Sequence, residues 1–162
     1  MTEREKLRIT ADYFRATGDL DKETQTYELW IANYPRDYVP QGNLGANYAF
    51  LGQWDKALAE GKETLRLAPD DILSYSNLGS DYFNMNRLDE AKASFGEALA
   101  HNLDGGILRE NQYLLSFLRG DTAQLEQQAA WGVGKPGVED VLLSMQSDTE
   151  AYYGRMGKAG DW

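Results

Sequence analysis

Three asparagines recur at one spacing: Asn43, Asn77 and Asn111 stand 34 residues apart. A carboxamide both donates and accepts, which matches the alternating groups of an extended peptide backbone, and each such bond is worth about 0.5–1.5 kcal/mol net. Asn is a poor residue inside a helix, less favourable than Ala by about 0.6 kcal/mol. Its use three times at one period therefore asks for a reason. Two are open: the amides hold a peptide in register, or each bonds to a neighbouring helix and sets how the units stack.

Residue types that do catalysis have plainer explanations. The acidic pairs Asp70-Asp71, Asp89-Glu90 and Glu139-Asp140 fall where helix starts call for acids near the positive end of the dipole. His101, the single histidine, sits near the expected end of a helix with no serine and acid arranged around it. The stretch Gly132-Val-Gly-Lys-Pro-Gly137 has the glycines and lysine of a phosphate loop but neither its full spacing nor a preceding strand, and reads as a hinge between helices. No catalytic residue, metal site or cofactor is expected.

Composition narrows the partners. The chain has 162 residues, 16 Lys and Arg against 26 Asp and Glu, and a net charge of -10, so its average surface repels phosphate backbones and anionic lipid. Nucleic acid is not an expected partner. The absence of cysteine removes disulfides, thiolate zinc sites and cysteine nucleophiles. No apolar run approaches the roughly 18 residues that span a bilayer, and Met-Thr-Glu-Arg-Glu-Lys is no secretory signal. The expectation is a single soluble domain over 1–162 that makes no membrane contact of its own.

The asparagine period extends to the whole chain. Leu44-Gly45, Tyr48 and Ala57 recur 34 residues on as Leu78-Gly79, Tyr82 and Ala91, and Pro35 recurs as Pro69. Units run 4–37, 38–71 and 72–105, followed by a degenerate unit over 106–137 and a truncated one over 138–162. Within each, apolar residues recur every three or four positions, and Gly18, Gly52, Asn86 and Gly120 interrupt them where a left-handed residue can end a helix cheaply. The pattern predicts helices over 3–17, 20–33, 38–51, 54–67, 73–85, 88–101, 106–118, 121–131 and 138–156. Gly45, Gly79, Ala57, Ala91 and Ala98 are small where paired helices cross, and Tyr48, Tyr82, Phe95 and Leu78 supply bulk.

The Leu-Gly, Tyr, Ala, Phe, Ala and Pro positions on this frame resemble the tetratricopeptide repeat. The third unit matches best, departing at Leu103; the second lacks the usual bulk at Gln41 and Gly61, the first has Glu23 where a small apolar residue is usual, and the fourth has Tyr113 at a small position. Glu23 implies either a splayed helix pair or a carboxylate that reaches solvent. The resemblance implies an all-α fold, an α-solenoid of helix-turn-helix hairpins in a right-handed superhelix, whose first helices line a concave groove that binds a protein or peptide.

On that frame the groove wall carries Arg8, Asp12 and Arg15 from the first unit, Asn43, Ala46 and Phe50 from the second, Leu73, Ser76, Asn77, Ser80, Phe83 and Asn84 from the third, and Asn111, Leu114 and Phe117 from the fourth. The aromatic and leucine residues are either apolar pockets for a ligand or ordinary core. Arg8, Asp12 and Arg15 either meet a charged ligand end or form an intrahelical ion pair on a solvated face. The lysine clamp with which some such proteins grip a C-terminal carboxylate is missing, because the matching places hold Arg8, Asp12, Gly42, Ala46, Ser76 and Ser80.

A narrower resemblance rests on Tyr27-Glu-Leu-Trp30, Tyr34-Pro-Arg-Asp37, Asn86-Arg-Leu-Asp-Glu-Ala-Lys92, Trp131, Gly134-Lys-Pro-Gly137 and Asp148-Thr-Glu-Ala-Tyr-Tyr153. These are similar to the repeat-bearing C-terminal regions of acidobacterial serine/threonine protein kinases and winged-helix regulators. It implies a non-catalytic sensing or scaffolding part of a larger bacterial signalling protein, on either side of a membrane. Trp162 ends the sequence where a polar capping helix is expected. The apolar side of the last helix, with Val141, Leu142, Met145, Tyr152 and Tyr153, is seldom left bare, which offers an alternative: assembly with another copy as a homodimer.

Overall fold

The computed structural model describes residues 1–160; the last two residues of the truncated unit, including Trp162, lie outside them. Among the described residues the chain forms ten α-helices and no strand: α1 (Glu3–Thr17), α2 (Leu20–Asn33), α3 (Tyr38–Phe50), α4 (Trp54–Leu67), α5 (Ile72–Asn84), α6 (Leu88–Ala100), α7 (Gly106–Arg119), α8 (Thr122–Gly132), α9 (Glu139–Tyr152) and α10 (Met156–Ala159). The helix expected over 138–156 is divided, because Gly154 at φ 75° closes α9 and lets the chain turn into α10.

Local chemistry explains the boundaries. Thr2 and Glu5 form a reciprocal capping box at the start of α1, and the Asp19, Asp37, Asp71 and Asp121 side chains accept from backbone amides at the starts of α2, α3, α5 and α8. The first helix of each complete hairpin ends at a left-handed residue, Gly18, Gly52, Asn86 or Gly120, at φ 73°, 70°, 58° and 66°.

Helices pair in order, α1 with α2, α3 with α4, α5 with α6 and α7 with α8, and each pair stacks on the next. The first helices α3, α5, α7 and α9 also lie along one another, whereas α1 packs only on α2. The inner wall therefore begins at α3. Asp37, the last residue of the first unit, caps α3 of the second and also accepts from Arg4 Nε at 2.6 Å and Trp30 Nε1 at 3.0 Å.

Three buried clusters run along the stack: Leu7, Ala11, Tyr27, Trp30 and Leu44; Tyr75, Ala91, Phe95, Ala98, Leu108 and Leu115; and Tyr113, Leu125 and Leu142. The odd residues of the weaker units have local answers. Glu23 is only 4% exposed, so it neither splays the pair nor reaches solvent; it accepts from Arg15 Nε at 2.9 Å and from the Tyr27 hydroxyl at 3.0 Å. Tyr113 spans the space a small residue would leave and bonds to Thr149 Oγ1 of α9 at 3.0 Å.

Candidate binding groove

A cleft of about 620 Å³ opens between α3 and α5, with Ala57, Gly61 and Thr64 of α4 also lining it. That size falls in the ordinary range for ligand sites. Of the residues expected on the groove wall, Asn43, Ala46, Phe50, Leu73, Asn77, Ser80 and Asn84 line it. Phe50 stands at the end of α3 with 84% of its surface exposed.

Two of the three asparagines in the cleft are the recurring Asn43 and Asn77, and both are uncommitted. Asn33 and Asn47 donate from their side chains to Leu29 O and Thr24 Oγ1, whereas Asn43, Asn77 and Asn111 make no side-chain hydrogen bond among the described residues. The asparagine of α3 that does bond to a neighbouring helix is Asn47, one turn along, which donates to Thr24 Oγ1 at 3.2 Å.

Other expected wall residues lie elsewhere. Arg8, Asp12 and Arg15 do not line this cleft; Asp12 lies 3.9 Å from Arg8 and 3.8 Å from Arg15, and Arg15 is held by Glu23. Ser76 is wholly buried and its hydroxyl has no partner, so it cannot touch a ligand. Phe83 packs on the Tyr75–Phe95 cluster. Asn111, Leu114 and Phe117 of α7 do not line the cleft, and the Phe117 ring meets Tyr152 edge-on at 5.0 Å.

One cleft residue was not legible in advance. Asp81 of α5 lines the cleft at 7% exposure and has no hydrogen-bond or ion-pair partner among the described residues. Burial alone pushes its carboxyl up from 3.8 to about 7. Its place one repeat earlier is held by Asn47, whose partner Thr24 is replaced one repeat later by Leu58. The signal was there: a carboxylate on the face of α5 that turns to α4.

Residues 72–100 match the family model of the tetratricopeptide repeat. A tetratricopeptide repeat protein from Parabacteroides merdae superposes with a TM-score of 0.84 at 18% identity, covering 98% of this chain and 62% of that one. This chain thus spans less than two thirds of the Parabacteroides protein. The chain has the tetratricopeptide-repeat fold. A Thermus thermophilus protein of that fold, TTC0263, matches at TM-score 0.77 and 22% identity over 98% of this chain and 86% of its own. PilW, described as a type IV pilus biogenesis factor, matches at TM-score 0.77 and 21% identity over 98% and 74%. No curated protein matches the sequence.

In this tetratricopeptide-repeat stack three of the six acidic residues singled out above are occupied, while Glu139 and Asp140 stand in the first turn of α9. Asp71 caps α5, Asp89 pairs with Arg119 at 2.7 Å and Glu90 with Arg87 at 2.7 Å. His101 caps α6 beside Asp70. Lys135 bonds to the Trp131 carbonyl, with its ammonium 4.0 Å from the Trp131 ring centroid, while Gly134 and Gly137 turn the chain between α8 and α9. No group of three or more possible metal ligands, and no helix long and apolar enough to cross a membrane, occurs among the described residues.

The expected assembly face is divided. Leu142 is core, pressed against Gly132, and Met145 packs beside it. A second copy could not reach Leu142, whereas Met145 is half-buried. Val141, Tyr152 and Tyr153 remain exposed.

Proposed function

We propose that the chain is a non-catalytic interaction module that holds an extended protein segment in the cleft between α3 and α5. The tetratricopeptide-repeat fold generally mediates protein–protein interaction, and its concave surfaces are the usual place for it. The observation that carries the reading is that Asn43 and Asn77 line one cleft with both amides free to bond a peptide backbone. Selecting peptides from a random display library and replacing both asparagines with Ala tests it. Two bonds of the usual net size make binding weaker by about 1–3 kcal/mol, and unchanged affinity in a folded variant overturns the reading.

The wider role we infer is a scaffolding part of a larger assembly, and what supports it is the repeat fold itself; no similar protein supports the narrower resemblance to the repeat regions of kinases and winged-helix regulators. A second reading is assembly through the C-terminal end, favoured by the exposed Tyr152, Tyr153 and Met156. Light scattering at high protein concentration separates the two: a mass that stays at one chain removes the assembly reading.

A further inference from the structure

Gly61 stands 34 residues before Phe95. In the third unit Phe95 is buried and its ring covers Gly79. In the second unit no ring exists at that place, and Gly61 lines the cleft with Leu78 and Asp81 against it: a Cβ on Gly61 would lie 3.3 Å from Leu78 Cδ1 and 3.9 Å from Asp81 Oδ2. The ring that fills this place in one repeat is thus missing from its neighbour, where Leu78 packs close to Gly61 and both Gly61 and the Asp81 carboxylate border the cleft.

Nothing in the wall answers that carboxylate. The two thirteen-residue helices α3 and α5 carry one Asp, Glu, Lys, Arg or His between them, and it is Asp81. The only other charged residue lining the cleft is Asp71, whose carboxylate already accepts from Ser74 N at 3.0 Å and from the Ser74 hydroxyl at 2.5 Å. The two lysines of α4 are turned to other partners, Lys56 to the Tyr48 ring and Lys62 to the Tyr82 ring. A buried carboxylate without a partner is costly, and a cation relieves that cost. The remaining lining suits a long basic side chain: Ala46, Ala49 and Ala57 for its aliphatic stem, and Phe50 and Trp54, whose rings attract cations.

We propose that the cleft takes a lysine or arginine side chain of an extended protein segment, its cation paired with Asp81 where that carboxylate borders the cleft beside Gly61. The inference rests on the peptide-groove reading and adds the identity of the anchoring side chain.

The test is a 15N NMR titration of the full chain with the pentapeptides acetyl-Ala-Ser-X-Ser-Ala-amide, where X is Lys, norleucine or Glu, and with free cadaverine. The expected result is that the lysine peptide shifts the amides of Gly61, Asn77 and Ser80, binds at least tenfold tighter than the norleucine peptide, and outcompetes cadaverine, with the glutamate peptide weakest. Asp81→Asn, which keeps the shape of the side chain, should erase the lysine preference while leaving norleucine binding in place. Equal binding of lysine and norleucine peptides, or a preference that survives in Asp81→Asn, overturns the cation anchor and leaves the groove standing. Cadaverine binding as tightly as the lysine peptide overturns the assignment to a protein segment. If no peptide shifts any cleft amide, the groove reading falls as well.

Discussion

The Phe95 ring lies directly over the α-carbon of Gly79, in the space a methyl group on that residue would need. Gly79→Ala therefore sets two effects against each other: Ala is the better helix former by about 1 kcal/mol, but the overlap forces a buried ring to move, at a cost of about 1–3 kcal/mol. The overlap wins, and thermal unfolding should show a loss. Gly96 of α6 has open space around it, so Gly96→Ala should raise stability by about 0.5–1 kcal/mol. Equal shifts in the two variants would show that Phe95 is not fixed where it lies.

Arg15, Glu23 and Tyr27 form one network. Arg15→Ala leaves a buried carboxylate without its cation and should cost about 1–3 kcal/mol in urea unfolding. The Tyr27 hydroxyl is pushed up to about 12, first by burial and then by the Glu23 carboxylate. Since the folded phenol keeps its proton to higher pH than the unfolded one, at 10.0, stability should be lost as pH rises from 10 through about 12. An ultraviolet titration in which every tyrosine ionises near 10 would contradict this.

Asp81 gives a second, neutral-range dependence. Its folded carboxyl titrates near 7 against 3.8 unfolded, so its contribution is full below 3.8 and is lost as pH rises through about 7. The loss should be about 2 kcal/mol, roughly half of the full conversion, because the cleft admits water. The charged groups nearest the cleft from its other walls are Asp71 at the head of α5 and Glu60 of α4, the latter also raised, chiefly by burial; α3 has none. Urea unfolding at pH 5 and pH 8 should differ for the wild type and much less for Asp81→Asn.

Tyr113→Phe removes the hydroxyl that meets Thr149 Oγ1 at 3.0 Å and should cost about 0.5–1.5 kcal/mol. Since that bond joins α7 to α9, hydrogen exchange should quicken in α9 more than in α3 or α5. Uniform quickening would place the bond's effect on the whole stack.

The period of 34, the small residues at the crossings, the left-handed turns at Gly18, Gly52, Asn86 and Gly120 and, of the aspartate caps, Asp71 were legible in the residues. Each of these rests on interactions within a few residues of chain, or on a pattern repeated often enough to read. The membership of the cleft was not. A repeat frame assigns equivalent positions to Asp12, Ala46 and Ser80, but α1 does not come alongside α3, so only the latter two meet in one space.

The same reason separates Asn47 from Asp81. Both occupy one position of the frame, yet the first finds Thr24 across the helix interface and the second finds a glycine. Sequence determined how this chain turns and where its helices begin and end, because those choices are made by neighbours along the backbone. Tertiary structure alone decided which polar groups are answered and which stand open, because that depends on what another helix, tens of residues away, brings to the same few ångströms.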